Sequence, residues 1–296
     1  MDLNRRQFVT SSLAAGILLP TAMALAGNAT AGSHKAGGKL RVGMGHGSTT
    51  DSLDPGTYEN GMNQNLCFAF CNHLTEVSNK GELIPELASE YSPSADATTW
   101  TFKIRHGVTF HDVNALTPAD VVASFRFHMG EDSKSAGKAL LADVTDISIN
   151  GNDVVFTLAN ASADFAFIVS DYHFPILPER DGQLAWDAKV GTGAYIIDSY
   201  DPGVRAKLYR NPNYWKQDAA HFDEVEFLVI LDVTARQNAI MNGDVDLIGR
   251  SDPKTVHLLG RNPNVEALET TGTSHDTCTN CCYATPFDNQ QFRMAL

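Results

Sequence analysis

Apolar and polar residues alternate along 39–44 (Lys-Leu-Arg-Val-Gly-Met), which predicts a short strand with one buried face. Gly45-His46-Gly47-Ser48-Thr49-Thr50 then reads as a strand-to-loop exit. Its glycines lack the Gly-Lys-Ser/Thr and the apolar helix that a phosphate cradle needs. Leu53-Asp54-Pro55-Gly56 is a turn whose Pro and Gly set the backbone angles. Strict alternation over 99–105 puts Trp100, Phe102 and Ile104 on one buried face. Thr117-Pro118-Ala119-Asp120 opens a helix: Thr117 caps, Pro118 suits the first helical position, and Asp120 complements the positive end of the dipole. Val121, Val122, Phe125 and Met129 supply its apolar stripe. A hairpin is expected over 146–158, turning at Asn150-Gly151-Asn152-Asp153. Strands follow at 206–210 and 225–230, separated by the turn Asn211-Pro212-Asn213-Tyr214-Trp215. A helix over 234–242 ends at Gly243, where a left-handed cap falls, and 244–248 returns as a strand. Strands and helices mix throughout with no repeat period, so the class is α/β or α+β.

The first 31 residues change the picture. Asn4-Arg5-Arg6-Gln7-Phe8-Val9 precedes an uncharged apolar stretch over 11–27, with Ala24-Leu25-Ala26 or Ala29-Thr30-Ala31 as the cleavage site. This is the pattern of a signal peptide, and the Arg5-Arg6 pair points to the twin-arginine route. The alternative, a membrane anchor, needs an apolar run of roughly 20 residues, and Pro20 interrupts this one. No cysteine stands near the cleavage site to carry a lipid. The expectation is a soluble protein in the periplasm, with about 265–270 residues left for one large domain or two smaller ones. A formal charge of −13 argues against nucleic acid and anionic membranes as partners.

Five cysteines are present, Cys67, Cys71, Cys278, Cys281 and Cys282, so an odd one stays unpaired within the chain. Cys67 and Cys71 share a face if their segment is helical, where they serve as small core hydrophobes. His275 with Cys278, Cys281 and Cys282 resembles a metal set, but it lacks the second separated ligand pair of a structural zinc site. In an oxidising compartment disulfide formation competes, and no metal is assigned. Asp244 and Asp246 lie two apart on one strand face, with no nucleophile or acid partner beside them. No catalytic residue is assigned.

Nine segments, taken in order, resemble one family. They are Leu53-Asp54-Pro55, Leu83-Ile84-Pro85-Glu86-Leu87-Ala88, Thr99-Trp100-Thr101-Phe102-Lys103-Ile104-Arg105, Val108-Thr109-Phe110-His111-Asp112 and Leu116-Thr117-Pro118-Ala119-Asp120-Val121. Gly191-Thr192-Gly193-Ala194-Tyr195, Arg210-Asn211-Pro212-Asn213-Tyr214-Trp215, Gly243-Asp244-Val245-Asp246-Leu247 and Pro286-Phe287-Asp288-Asn289 complete the set. The chain resembles the periplasmic solute-binding proteins of peptide and nickel ABC importers, extracellular family 5.

That resemblance implies a mixed α/β (α+β) fold of the type II periplasmic binding protein kind. Lobe I has its sheet core at 38–72 and 186–274, with an inserted subdomain at 73–185. Lobe II begins near 275. The chain stops at Phe292-Arg293-Met294-Ala295-Leu296, inside an expected helix, so lobe II is expected to be mostly missing and the sequence a fragment or truncated product. Three departures stand out: Val113 and Ala194 where the family has Gly and Pro, and the cysteines of 278–282. A β-branched Val113 is poor where a turn needs positive φ.

The resemblance also implies two ligand-facing loops in lobe I. They match Glu59, Asn60, Gly61, Met62 and Asn63, and Gly249, Arg250, Ser251 and Asp252. Glu59 suits a ligand ammonium and Arg250 a carboxylate. The implied function is periplasmic capture of an oligopeptide or dipeptide by closure of two lobes, and delivery to the ABC permease subunits. The Tat translocase is then the export partner, and no cofactor is required. Two alternatives remain: the same fold carrying a nickel or other metal chelate or haem, and a Tat-exported metalloprotein or enzyme using Cys278, Cys281 and Cys282. The chain without lobe II is expected to keep a folded 73–185 subdomain and to bind peptide weakly or not at all.

Overall fold

The computed structural model describes residues 36–268, 283 and 285–294. Arg5, Arg6, the whole 1–31 segment and the His275 to Cys282 cluster lie outside the described residues.

Strand β1 (Lys39–Met44) runs inward from an exposed start to a buried end. Helix α1 (Gly61–Phe70) is capped by Asn60, whose side-chain oxygen accepts from the Met62 and Asn63 amides. A small hairpin, β2 (Thr75–Val77) and β3 (Leu83–Pro85), leads to β4 (Ala88–Pro93) and β5 (Thr99–Ile104). Helix α2 (Pro118–Met129) starts where expected. The buried Asp120 carboxylate accepts from the Thr117 amide and hydroxyl at 2.8 and 2.7 Å, and from the Glu179 amide at 2.8 Å. The residue read as a helix-dipole partner therefore also anchors a chain segment 59 positions away.

The expected hairpin is β6 (Val144–Asn150) and β7 (Asp153–Leu158), with Gly151 at φ 62° in its turn. A one-turn helix α3 (Phe165–Ile168) and a two-residue pair, β8 (Glu179–Arg180) and β9 (Gln183–Leu184), follow. Then come β10 (Tyr195–Asp201), β11 (Arg205–Arg210) and β12 (Glu224–Val229). Helix α4 (Val233–Asn242) is capped by Asp232 and closed by Gly243 at φ 76°, the left-handed cap that the sequence predicts. The strand expected over 244–248 shortens to β13 (Leu247–Ile248). Before it, Asp246 still donates its amide to Arg41 O at 2.8 Å, and its carboxylate accepts from Arg41 Nε and Nη2 at 3.0 and 2.8 Å and from the Arg41 amide at 2.8 Å. Short helices α5 (Val256–Leu259) and α6 (Gln290–Met294) complete the described chain.

Two sheets carry the fold. The first is five-stranded in the order β10-β11-β12-β1-β13. Its β10, β11 and β12 are antiparallel, while β1 runs parallel to both β12 and β13. Met62, Leu66, Cys67 and Phe70 of α1 join Val42, Met44, Leu208, Val225 and Phe227 in one apolar cluster. The second sheet, β4-β5-β7-β6, is antiparallel. Trp100, Phe102 and Ile104 project from it into a separate cluster with Phe125 of α2, Phe156 and Phe165. Phe156 meets Phe125 and Phe102 edge to face at 4.9 and 5.5 Å between ring centroids. Each such buried ring contributes roughly 2–3 kcal/mol of transfer free energy.

The Gly191-Thr192-Gly193 segment stitches the clusters together. The Gly193 amide donates to Phe70 O at 2.9 Å, and Asn211 Nδ2 donates to Gly193 O at 3.0 Å. The Gly191 amide donates to His111 Nδ1 at 3.2 Å, so Nε2 carries the proton and donates to Gly193 O at 3.1 Å. Burial holds His111 below the ordinary histidine range, in keeping with that neutral tautomer.

Two residues on, Val113 sits at φ 64° with its side chain 67% exposed. Its conformation carries the strain of a left-handed β-branched residue and its burial returns little. Val113→Gly is expected to stabilise the protein by about 0.5–1 kcal/mol, the relieved strain being partly offset by glycine's unfolded-state entropy. A thermal melt that falls instead of rising by a few degrees contradicts this.

Candidate functional site

In a sheet with parallel strands, ligands gather beyond the carboxyl ends of those strands. Here the ends are Met44 of β1, Val229 of β12 and Ile248 of β13, and three loops leave from them. Arg236 of α4 binds two of these loops. Only 3% exposed, it sends Nη1 to Ile230 O and Leu231 O at 2.6 and 3.2 Å. Its Nε reaches Gly249 O at 3.2 Å and its Nη2 reaches Arg250 O at 3.0 Å. Four carbonyl oxygens from two loops thus share one guanidinium. Gly45 makes room for it, since a Cβ there would stand 3.0 Å from the Arg236 guanidinium carbon.

His46 links the two segments that the sequence nominates. Its Nε2 accepts from Arg250 Nη1 at 2.7 Å. Its Nδ1 lies 3.8 Å from where a Gly61 side chain would begin. Burial, and then the charges of Arg250 and Arg236, lower its pKa, which keeps Nε2 an acceptor. Asn60 is tied in from the far side, its Nδ2 donating to Asp51 Oδ1 at 2.7 Å while Asp51 Oδ2 accepts the Ser48 amide at 2.8 Å.

The segment 59–63 is not a loop. Asn60 caps α1, and Gly61, Met62 and Asn63 form its first turn. Glu59 is exposed, and Asn60 and Gly61 are half-buried. Met62 and Asn63 are turned into the protein at 0% and 2% exposure, with Asn63 Nδ2 donating to Ser52 O. They shape the helix end and offer a ligand no surface.

Gly249 and Arg250 are exposed, Ser251 and Asp252 half-buried, and Arg250 takes φ 55°. Gly249, Arg250 and Ser251 edge a cleft of about 760 Å³ that continues past Leu247, Pro253 and Val256. Arg250 keeps guanidinium N–H groups beyond the one given to His46, so a carboxylate in this cleft has a donor. Asp252 Oδ1 and O accept from the Lys254 and Thr255 amides, which closes the turn into α5.

Sequence reasoning missed His46 and Arg236. Arg236 had a legible signal: it stands three and four residues before Ala239 and Ile240, on the inward face of α4. His46 had only its place among glycines. Asp246, given no catalytic role by the sequence, is exposed and pairs with Arg41, which joins β13 to β1. Among the described residues no group of three or more His, Cys, Asp or Glu is placed to hold a metal ion. Among them also, no helix is long and apolar enough to cross a membrane.

Comparison with known proteins places this geometry. The chain is 23% identical over 273 residues to Di/tripeptide-binding protein 1 of Pseudomonas aeruginosa, covering 82% of this chain and 51% of that protein. It is 28% identical over 255 residues to Heme-binding protein A of Haemophilus influenzae, covering 76% and 46%. Among solved structures, the PBP AgaA of A. tumefaciens R10 with agropinic acid superposes with a TM-score of 0.69 at 26% identity, over 76% of this chain and 46% of that one. The peptide complex of DppA from Helicobacter pylori gives 0.69 at 23%, over 78% and 50%. The chain spans about half the length of the curated relatives it matches. The fold is the mixed α/β architecture of type II periplasmic binding proteins. With residues 82–296 matching the model for bacterial extracellular solute-binding proteins, family 5 Middle, the chain belongs to the family 5 extracellular solute-binding proteins.

Proposed function

We propose that this chain is the solute-binding component of an ABC importer, capturing peptide-like ligands and passing them to the permease. One observation carries the reading: His46 and Arg236 hold the 249–252 loop beside the capped start of α1, at the ends of three parallel strands. Exposed Glu59 suits a peptide ammonium and Arg250 its carboxylate, with loop backbone groups taking the peptide units. The cargo in the relatives' names, di- and tripeptides among them, supports the same assignment. No bond is made or broken in this role and no cofactor takes part.

The two apolar clusters support a division into a sheet core at 38–72 and 186–274 and a subdomain at 73–185, with 275–296 opening a second lobe. Export to the periplasm through the twin-arginine translocase, directed by Arg5 and Arg6, belongs to the same reading. A metal chelate or haem as cargo is the second reading, favoured by the likeness to Heme-binding protein A.

The test is a tryptophan-fluorescence titration of the protein recovered from its host's periplasm, using dipeptides, tripeptides, a nickel chelate and haem. Saturable peptide binding is expected of the protein recovered from the periplasm, weakened about tenfold or more by Arg250→Ala, whereas residues 27–296 alone are expected to bind peptide weakly or not at all. Saturation by haem or the chelate alone overturns the peptide assignment. Unchanged periplasmic yield after Arg5→Lys with Arg6→Lys overturns the export route.

A further inference from the structure

His46 stands in the loop after β1, half-buried between the two segments of the proposed site. Its Nε2 lies 2.7 Å from Arg250 Nη1. A guanidinium has N–H groups and no acceptor, so Nε2 is bare and the neutral ring carries its proton on Nδ1. The fold holds this tautomer because it holds Arg250 as well. Arg236 Nη2 donates to Arg250 O at 3.0 Å, and the Arg250 backbone takes a left-handed φ of 55°. Among the described residues the Arg250 contact is the only hydrogen bond of the His46 ring, which leaves Nδ1–H without an acceptor. Nothing covers it at Gly61 either. A Cβ there would come 3.8 Å from Nδ1 and 3.9 Å from Met44 Cε, both ordinary contacts, and Gly61 has no left-handed φ. Neither a clash nor the backbone requires glycine at the first position of α1, where alanine suits a helix better. What glycine does there is leave the space in front of Nδ1 open.

We propose that His46 is a ligand-binding residue of the cleft: Arg250 fixes its Nδ1–H tautomer, and that N–H donates to a peptide carbonyl of a ligand lying between Arg250 and the start of α1. The inference rests on the peptide reading given above and adds a neutral donor between Glu59 and Arg250. An extended chain advances about 3.3–3.6 Å per residue, the scale of the step from Arg250 across the imidazole. A terminal carboxylate and the carbonyl one residue before it therefore reach the two donors together. The pairing selects a ligand whose backbone carries an acceptor next to its carboxylate, as every peptide does.

The surroundings keep the ring neutral. Burial, then the charges of Arg250 from the 249–252 loop and Arg236 from α4, hold His46 below the ordinary histidine range. The start of α1 brings uncharged Gly61 to it, and Glu59 is exposed. The carboxylates nearest in these segments are engaged elsewhere. Asp51 accepts from Asn60 Nδ2 and the Ser48 amide, and Asp252 from the Lys254 amide. No carboxylate among the described residues pairs with His46 to raise its charge. The donor is therefore a neutral imidazole, suited to a carbonyl oxygen, with the carboxylate left to Arg250.

The test uses the protein recovered from its host's periplasm, grown with nitrogen-15 histidine. Proton–nitrogen correlation spectra at neutral pH are expected to show the His46 proton on Nδ1, the signal being identified by its loss in His46→Gln. Arg250→Met is expected to move that proton to Nε2, because the bond that selected the tautomer is gone. Trialanine is then titrated in by calorimetry, with folding of each variant checked by far-UV circular dichroism. His46→Phe keeps a ring without either nitrogen and is expected to weaken binding about tenfold. His46→Gln still accepts from Arg250 but offers no donor at the Nδ1 position, and about a fivefold loss is expected. Gly61→Val, which covers Nδ1 from outside, is expected to weaken binding to a similar extent while the thermal melt stays in place. A wild-type His46 protonated on Nε2 overturns the proposal. Trialanine affinity unchanged in both His46→Phe and Gly61→Val does so too, and leaves the peptide reading standing. Wild-type protein that does not bind trialanine at all overturns that reading and this inference together.

Discussion

Gly193→Ala is expected to cost at least about 3–5 kcal/mol, a large part of the 5–15 kcal/mol that holds a domain folded. A Cβ at this position would stand 2.3 Å from Phe70 C, 2.6 Å from Cys71 N and 2.7 Å from Phe70 O. These are backbone atoms at the end of α1, so no rotamer change relieves the contact. Withdrawal of the 191–193 segment breaks the Gly193 amide bond to Phe70 O and strains the Asn211 and His111 bonds to Gly193 O. Gly191→Ala meets Phe70 O at 2.0 Å and is expected to behave alike. Gly249→Ala is the control: nothing lies within 4 Å of its Cβ, and its cost is expected to stay below about 0.5 kcal/mol. Urea titration followed by far-UV circular dichroism reads all three, and a Gly193→Ala midpoint equal to wild type contradicts the close approach seen here.

That seam shows what kind of information the sequence holds. Local periodicity made β1, β5, the β6–β7 hairpin and the start of α2 readable, because alternation, Asn-Gly and Thr-Pro-x-Asp act within a few residues. The Gly243 cap was readable for the same reason. Val113 was readable as a misfit, and it sits at the positive φ that makes it one. Segment 59–63 was placed as a loop by its match to the family, and its course as a helix start shows only in the Asn60 cap and the burial of Met62 and Asn63. Contacts between residues far apart in the chain were not legible. Arg41 meets Asp246 across 205 positions and Arg250 meets His46 across 204, with no periodic signal in either segment to announce the pairing. The site was therefore legible as two segments and not as an arrangement, since the residues that join them act across the fold.

Arg236→Met is the substitution that tests that arrangement most directly. The methionine fills much of the arginine's stem volume and removes the fork. Ile230 O, Leu231 O, Gly249 O and Arg250 O then lose a charged donor inside the protein, each exchange costing about 1–3 kcal/mol before relaxation. Relaxation lets the exposed loops turn some carbonyls to water, so a net loss of about 3–5 kcal/mol is expected. Arg236→Lys keeps the charge but cannot span four oxygens, and about half that loss is expected. The loss should be uneven. Amide exchange should quicken most in 230–232 and 249–252, while β5 and β7, packed in the other cluster, should change only with global stability. Loosening the 249–252 loop also frees Arg250 from its place beside His46, so ligand affinity should fall further than stability alone predicts. An Arg236→Met protein within about 1 kcal/mol of wild type, with unchanged exchange in both loops, would show that packing rather than the guanidinium holds the strand ends together.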